Sequence, residues 1–138
     1  MGSFTFYPME RNEVLKKLRA SFEVQSLIVN APEEYLRLIE GLPFETQSTG
    51  KKNHFDYMQI FATSKAELLQ LLNEHLTAGK YDCLFWLCYP KGGGKITSDL
   101  NRNIVWETAA VKNIRPVTNV SIDETWSALR MRPVEAVK

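Results

Sequence analysis

Lys91-Gly92-Gly93-Gly94-Lys95 is the segment of this chain whose residue types point most directly to chemistry. Glycines let backbone amides come close to an anion, and two lysines beside a helix start add positive potential, which is the composition of a phosphate-binding loop. The Walker spacing is not met, because its first glycine falls at Tyr89 and Ile96 stands where a serine or threonine should follow the lysine. The other reading is a solvated loop in which the glycines only turn the chain between a strand end and a helix start. Ser98, Asp99, Asn101 and Arg102 follow. Either Ser98 or Asp99 caps the next helix with Arg102 in solvent, or these side chains face Asp123 and Trp126 across a pocket. Trp126 and Arg130 have the same strand parity, so an indole and a guanidinium on one face can stack or line that pocket. The candidate ligand-binding set is Lys91, Lys95, Ser98, Asp99, Asn101, Asp123, Trp126 and Arg130, and the ligand it suits is a small anionic molecule.

Other chemistries find less support. His54 and His75 are the only histidines; neither has a Ser, Asp or Cys partner at catalytic or metal-binding spacing, and both read as surface residues. Glu33 and Glu34 are adjacent, so on a helix they point in different directions and form no acid and base pair. Cys83 and Cys88 lie five positions apart in one strand, on opposite faces and separated by about 16 Å, and they read as small core residues rather than a disulfide. Trp86, Trp106 and Trp126 read as core before ligand platforms. No catalytic residue, metal ligand or cofactor is assigned.

The elements that must carry these residues alternate. At 138 residues the chain suits a single domain spanning 1–138, with loose ends at about 1–8 and 134–138. Its 17 Lys and Arg against 16 Asp and Glu give a net charge of +1, which supplies no basic field for nucleic acid. The longest apolar run, Cys83 to Tyr89, is far below the roughly 20 residues that cross a bilayer, and Met1 to Phe6 has no apolar signal core, so a cytoplasmic protein without membrane partners is expected. A homodimer through the terminal hairpin or an edge near Phe44 is also compatible with the pattern.

Apolar spacing predicts a helix over Asn12 to Phe22, a strand over Gln25 to Val29, and a helix entered through Pro32 and stopped at Gly41. Phe44 to Thr46 reads as a short edge strand, and Gln47 to Asn53 as a polar loop. A strand over Asp56 to Ala62 leads to a capping box, Ser64 with Glu67, and a helix to Thr77 that Gly79 closes. Cys83 to Tyr89 is apolar at every position, as in a strand buried on both faces. A helix to about Lys112 follows, then two strands, Val117 to Ile122 and Trp126 to Met131, joined by a link short enough to require a hairpin. The fold class is α/β: a three-layer, mostly parallel sheet with helices on both faces and a C-terminal antiparallel hairpin. Ligands of such sheets bind at the carboxyl ends of the parallel strands.

From Ser26 onward this order, with Tyr81 to Leu87 as a strand after a helix and a terminal hairpin, resembles a shortened class I methyltransferase core. In that family the strand ending here at Val29 opens a Gly-x-Gly loop against S-adenosylmethionine. Asn30-Ala31-Pro32-Glu33-Glu34 has no glycine, one strand and helix are missing, and Glu45 stands near the family's ribose-binding acid. Four further segments are similar to a family of small bacterial proteins of unknown function over about Gln25 to Pro133. They are Leu27 to Tyr35, Tyr89-Pro90-Lys91, Ser98 to Arg102, and Ile122 to Arg130. That resemblance implies a fold and no particular reaction. The expectation is a non-catalytic binding or interaction domain on a degenerate methyltransferase-like sheet. An enzyme or sensor for a small anion at the carboxyl edge is the alternative.

Overall fold

Burial on both faces of the central strands decides the architecture. In the computed structural model, which describes residues 11–137, the elements are α1 (Arg11–Leu18), β1 (Ser26–Val29), α2 (Glu33–Leu38), β2 (Phe55–Phe61), α3 (Lys65–His75), β3 (Gly79–Pro90), α4 (Arg102–Ala110), β4 (Ile114–Ser121) and β5 (Trp126–Pro133). The strands lie in the order β1-β2-β3-β5-β4. β1, β2 and β3 pair in parallel, and β5 runs antiparallel between β3 and β4. The expected loose start at 1–8 lies outside the described residues.

Side chains of opposite parity feed two separate cores. Leu27, Val29, Met58, Ile60, Phe85, Leu87, Leu129 and Met131 pack with Leu68, Leu72 and Val105 of α3 and α4. Ile28, Tyr57, Phe61, Trp86, Cys88, Trp126 and Ala128 pack with Val14 and Leu18 of α1 and Tyr35 of α2. The result is a three-layer α/β sandwich whose middle strand, β3, is buried on both faces from Phe85 on, as its unbroken apolar run requires. Cys83 and Cys88 belong to different cores, and both are free thiols.

Several boundaries differ from the sequence expectation for physical reasons. α1 stops at Leu18 rather than Phe22, because Arg19 and Phe22 take φ of 56° and 60°, outside helical geometry. Phe22 is buried all the same. Gly79 opens β3 instead of closing α3, whose end is a short 3-10 turn, Leu76–Ala78. A side chain at Gly79 would meet Cys83 Sγ at 2.9 Å and Met58 Cε at 3.0 Å, so glycine serves close packing there. Phe44 to Thr46 contributes one rung and no strand: the Ile28 N–H donates to the Glu45 carbonyl at 2.9 Å, and the Glu45 N–H donates to the Ser26 carbonyl at 2.9 Å. Residues Val134–Ala136, placed in the expected loose end, have regular local structure. They form a 3-10 turn in which the Val134 N–H donates to the Asn113 carbonyl at 3.0 Å and Glu135 accepts from the Tyr81 hydroxyl at 3.0 Å. Trp86 and Trp126 are core, whereas Trp106 is 40% exposed on α4. Among the described residues no helix is long and apolar enough to cross a membrane.

Candidate functional site: the carboxyl edge of the sheet

β1 ends in a turn that needs a left-handed residue, and Asn30 supplies it at φ 60°. Asparagine tolerates this region better than other side chains, and here its amide Nδ2 donates to the Phe61 carbonyl at 2.9 Å, tying the β1 turn to the end of β2. Pro32 then enters α2 with extended backbone and makes no side-chain cap. Its carbonyl accepts from both Tyr35 N–H and Leu36 N–H at 3.0 Å. At the end of β2 the expected capping box is present: Ser64 Oγ accepts from Glu67 N–H at 3.1 Å. Glu67 reaches back to Thr63 N–H at 2.8 Å rather than to the cap residue's own amide.

The sequence-nominated residues divide into four groups. Ser98, Asp99 and Asn101 organise helix starts. Asn101, not Ser98 or Asp99, caps α4, its side chain accepting from Ile104 N–H at 2.9 Å. Ser98 Oγ accepts from Leu100 N–H at 2.9 Å one turn earlier. Asp99 Oδ1 accepts from Lys65 N–H at 2.8 Å, so it satisfies a first-turn amide of α3 across 34 residues of sequence. Lys91 closes the hairpin end against β3, its N–H donating to the Thr125 carbonyl at 2.8 Å and its Nζ to Ser121 Oγ at 2.6 Å.

Lys95, Asp123 and Trp126 come together. They line a cavity of about 360 Å³ between α2 and the β4–β5 turn, with Glu34, Tyr35 and Glu124 among its walls. Asp123 Oδ1 accepts from Thr125 N–H at 2.7 Å and Trp126 N–H at 2.8 Å, which shapes the turn. The Trp126 ring is buried edge-on against Phe61, at 5.2 Å between centroids. Three carboxylates and one lysine therefore surround the cavity. Arg130 is not brought to this edge. It pairs across from Trp86 while Trp126 pairs across from Pro90, four residues or about 13 Å away along β5. It does share the face of Trp126 and Ala128, and its Nε is buried without a hydrogen-bond partner.

Glu45 is likewise engaged away from the edge, 3.1 Å from Lys51 Nζ and 3.8 Å from His54 Nε2. Among the described residues no group of three His, Cys, Asp or Glu side chains could hold a metal ion.

Histidine placement corrects the sequence reading. His75 is 7% exposed, not a surface residue, and its Nδ1 lies 2.6 Å from the equally buried Ser48 Oγ. This serine and histidine contact sits at the far end of α3 and lines neither cavity, so it anchors the 47–53 loop rather than presenting a nucleophile. No local spacing signals it, because the partners are 27 residues apart. Burial lowers the His75 pKa from its usual 6.5, with Glu74 opposing more weakly. A depressed pKa means the contribution to stability is complete above the unfolded value and is lost as pH falls through the folded one. Thermal melts of the wild type should therefore begin to drop below pH ~6.5, and a His75→Gln variant should show a flatter slope between neutral and mildly acidic pH.

No protein-family model and no curated protein matches the chain. Solved structures do resemble it. It overlays an S-adenosylmethionine-dependent methyltransferase from Aquifex aeolicus with a TM-score of 0.63 at 14% identity, covering 90% of each chain. It matches the tRNA methyltransferase TrmK of B. subtilis with a TM-score of 0.55 at 8% identity, covering 93% of this chain and 67% of that one. A methyltransferase of Burkholderia thailandensis solved with bound 1,6-didemethyltoxoflavin and S-adenosylhomocysteine gives 0.54 at 10% identity, covering 91% and 79%. The fold is thus a shortened form of the Rossmann-like sheet of S-adenosylmethionine-dependent methyltransferases.

Proposed function

We propose that this chain is a non-catalytic binding or interaction domain that keeps a methyltransferase-like sheet and lacks a working S-adenosylmethionine site. The turn after β1 is the observation that supports this most. A nucleoside needs close main-chain approach there, and glycine is the residue that permits it. Asn30 instead carries a side chain bonded to Phe61, Pro32 offers no N–H, and α2 is only six residues long. Glu45, the acid nearest the expected ribose position, is paired with Lys51 at 3.1 Å. The residues present do not fit the cofactor.

Calorimetric titration with S-adenosylmethionine, paired with thermal melts, tests the reading. A ligand at a hundredfold its Kd stabilises a fold by about 2.7 kcal/mol, which lifts the melting point of a domain this size by several degrees. The expected result is no heat and no shift; a saturable heat with a shift of that size overturns the proposal.

A second reading, an enzyme or sensor for a small anionic ligand, draws on the meeting of Lys95, Asp123 and Trp126 in one cavity. Glu34 and Glu124 in its walls work against an anion. Protection by phosphate, nucleotides or carboxylates in a melting screen, lost in Lys95→Ala, would favour it over the first.

A further inference from the structure

We infer that the larger cavity, at the opposite pole of the sheet, binds an amphipathic carboxylate, meaning an apolar body that ends in one anionic head. The inference stands whether or not the carboxyl edge binds anything. This cavity is about 730 Å³, within the range that holds small molecules, and lies between the carboxyl ends of α3 and α4 and the start of β3. The backbone accounts for the opening: Asp82 takes φ 55°, the β2–β3 register shifts between Phe55 and Tyr57, and β3 is fully buried only from Phe85.

Its floor is apolar and adaptable. Met58, Cys83, Phe85, Ile114 and Met131 line it, and thioether and thiol groups conform readily to irregular partners. Apolar surface continues outward at the mouth, where Tyr81 is 67% and Val134 46% exposed.

The charge at the mouth is uneven once existing pairs are counted. Asp82 receives both Arg132 Nε at 2.9 Å and Arg132 Nη2 at 2.6 Å. Lys80 donates to Asp56 at 2.8 Å, whereas Glu135 accepts only from the neutral Tyr81 hydroxyl and stays a carboxylate without a cationic partner among the described residues. Lys52 and Lys112 remain, with no carboxylate partner among the described residues. Lys52 and Lys112 outnumber the one lining carboxylate without a cationic partner, Glu135, so an anionic head belongs at the lysine rim while the apolar body fills the floor.

Cys83 makes the test site-specific, because it lines this cavity whereas Cys88 is fully buried in the other core. Burial pushes the Cys83 thiol up to about 11, so alkylation by excess iodoacetamide is run over long exposure at pH ~8.5, below the range in which the fold weakens, and each cysteine is followed by mass spectrometry. Sodium decanoate, decanol and decylammonium are compared at equal concentrations. Decanoate should protect Cys83, with half-protection at a concentration about tenfold lower than for either competitor. That advantage should shrink in high salt and disappear in Lys52→Glu combined with Lys112→Glu. Equal protection by all three compounds, an advantage indifferent to salt, or no protection by decanoate would overturn the inference. The salt series uses the wild-type protein, so the answer does not depend on the variant folding.

Discussion

Replacing Trp86 with alanine should lower stability by about 3 to 5 kcal/mol, the largest single loss expected in this chain. Trp86 stands on the central strand, is 1% exposed, and lies between Gln59 of β2 and Arg130 of β5. Its side chain fills the core beneath α1, and its indole N–H donates to the Leu18 carbonyl at 2.9 Å, the last residue of that helix. Removing it opens a cavity too deep for α1 to collapse into and leaves a helix-end carbonyl unpaired. Trp86→Phe separates the two effects: it keeps most of the ring and should cost about 1 to 3 kcal/mol for the unpaired carbonyl. Urea midpoints at unchanged slope measure both. A loss below about 1 kcal/mol for the alanine variant would mean that α1 is not packed on the sheet as described.

Gln59→Leu should cost nearly as much despite preserving side-chain size and adding apolar character. Gln59 is fully buried on the α2 face, and its Oε1 accepts from Tyr35 OH at 2.9 Å and from Tyr57 OH at 3.0 Å. Its Nε2 faces Cys88 Sγ at 3.5 Å. Leucine leaves two tyrosine hydroxyls in the core without an acceptor, at about 1 to 3 kcal/mol each. Adding Tyr35→Phe and Tyr57→Phe removes those hydroxyls and should recover most of the loss, an outcome a mere packing defect would not produce.

The same cluster makes a pH prediction. Burial raises the Tyr35 and Tyr57 pKa values above the usual 10.0, and that of Cys88 above the usual 9.0. Raised values mean that stability is complete below the unfolded pKa and is lost as pH rises toward the folded one, so the wild type should weaken above pH ~9. The triple variant should lose less over the same range.

The fold was readable wherever burial wrote itself into composition. Cys83 to Tyr89 could only be a strand covered on both faces, and Ser64 with Glu67 marks the start of α3 correctly. The short link at Asp123 to Thr125 forces the hairpin, which the structure places with β5 inside and β4 at the edge. Boundaries that depend on single backbone conformations were not readable: Arg19 and Asp82 take left-handed φ values that their side-chain types do not announce. Of the eight nominated residues, Lys95, Asp123 and Trp126 line one cavity. What the other side chains do was not legible, because Asp99 answers to Lys65 and Lys91 to Ser121, partners that no local spacing connects. The cavity at the other pole left no trace in any motif, as its walls come from β2, β3, β4, β5, two 3-10 turns and two loops.

The loss of the S-adenosylmethionine site is tested most directly by an amide-resolved NMR titration of the nitrogen-labelled protein with S-adenosylmethionine. The amides of Asn30, Ala31, Glu33 and Glu34 are expected to stay in place up to millimolar ligand. Saturable shifts concentrated on those four amides would show that the site works.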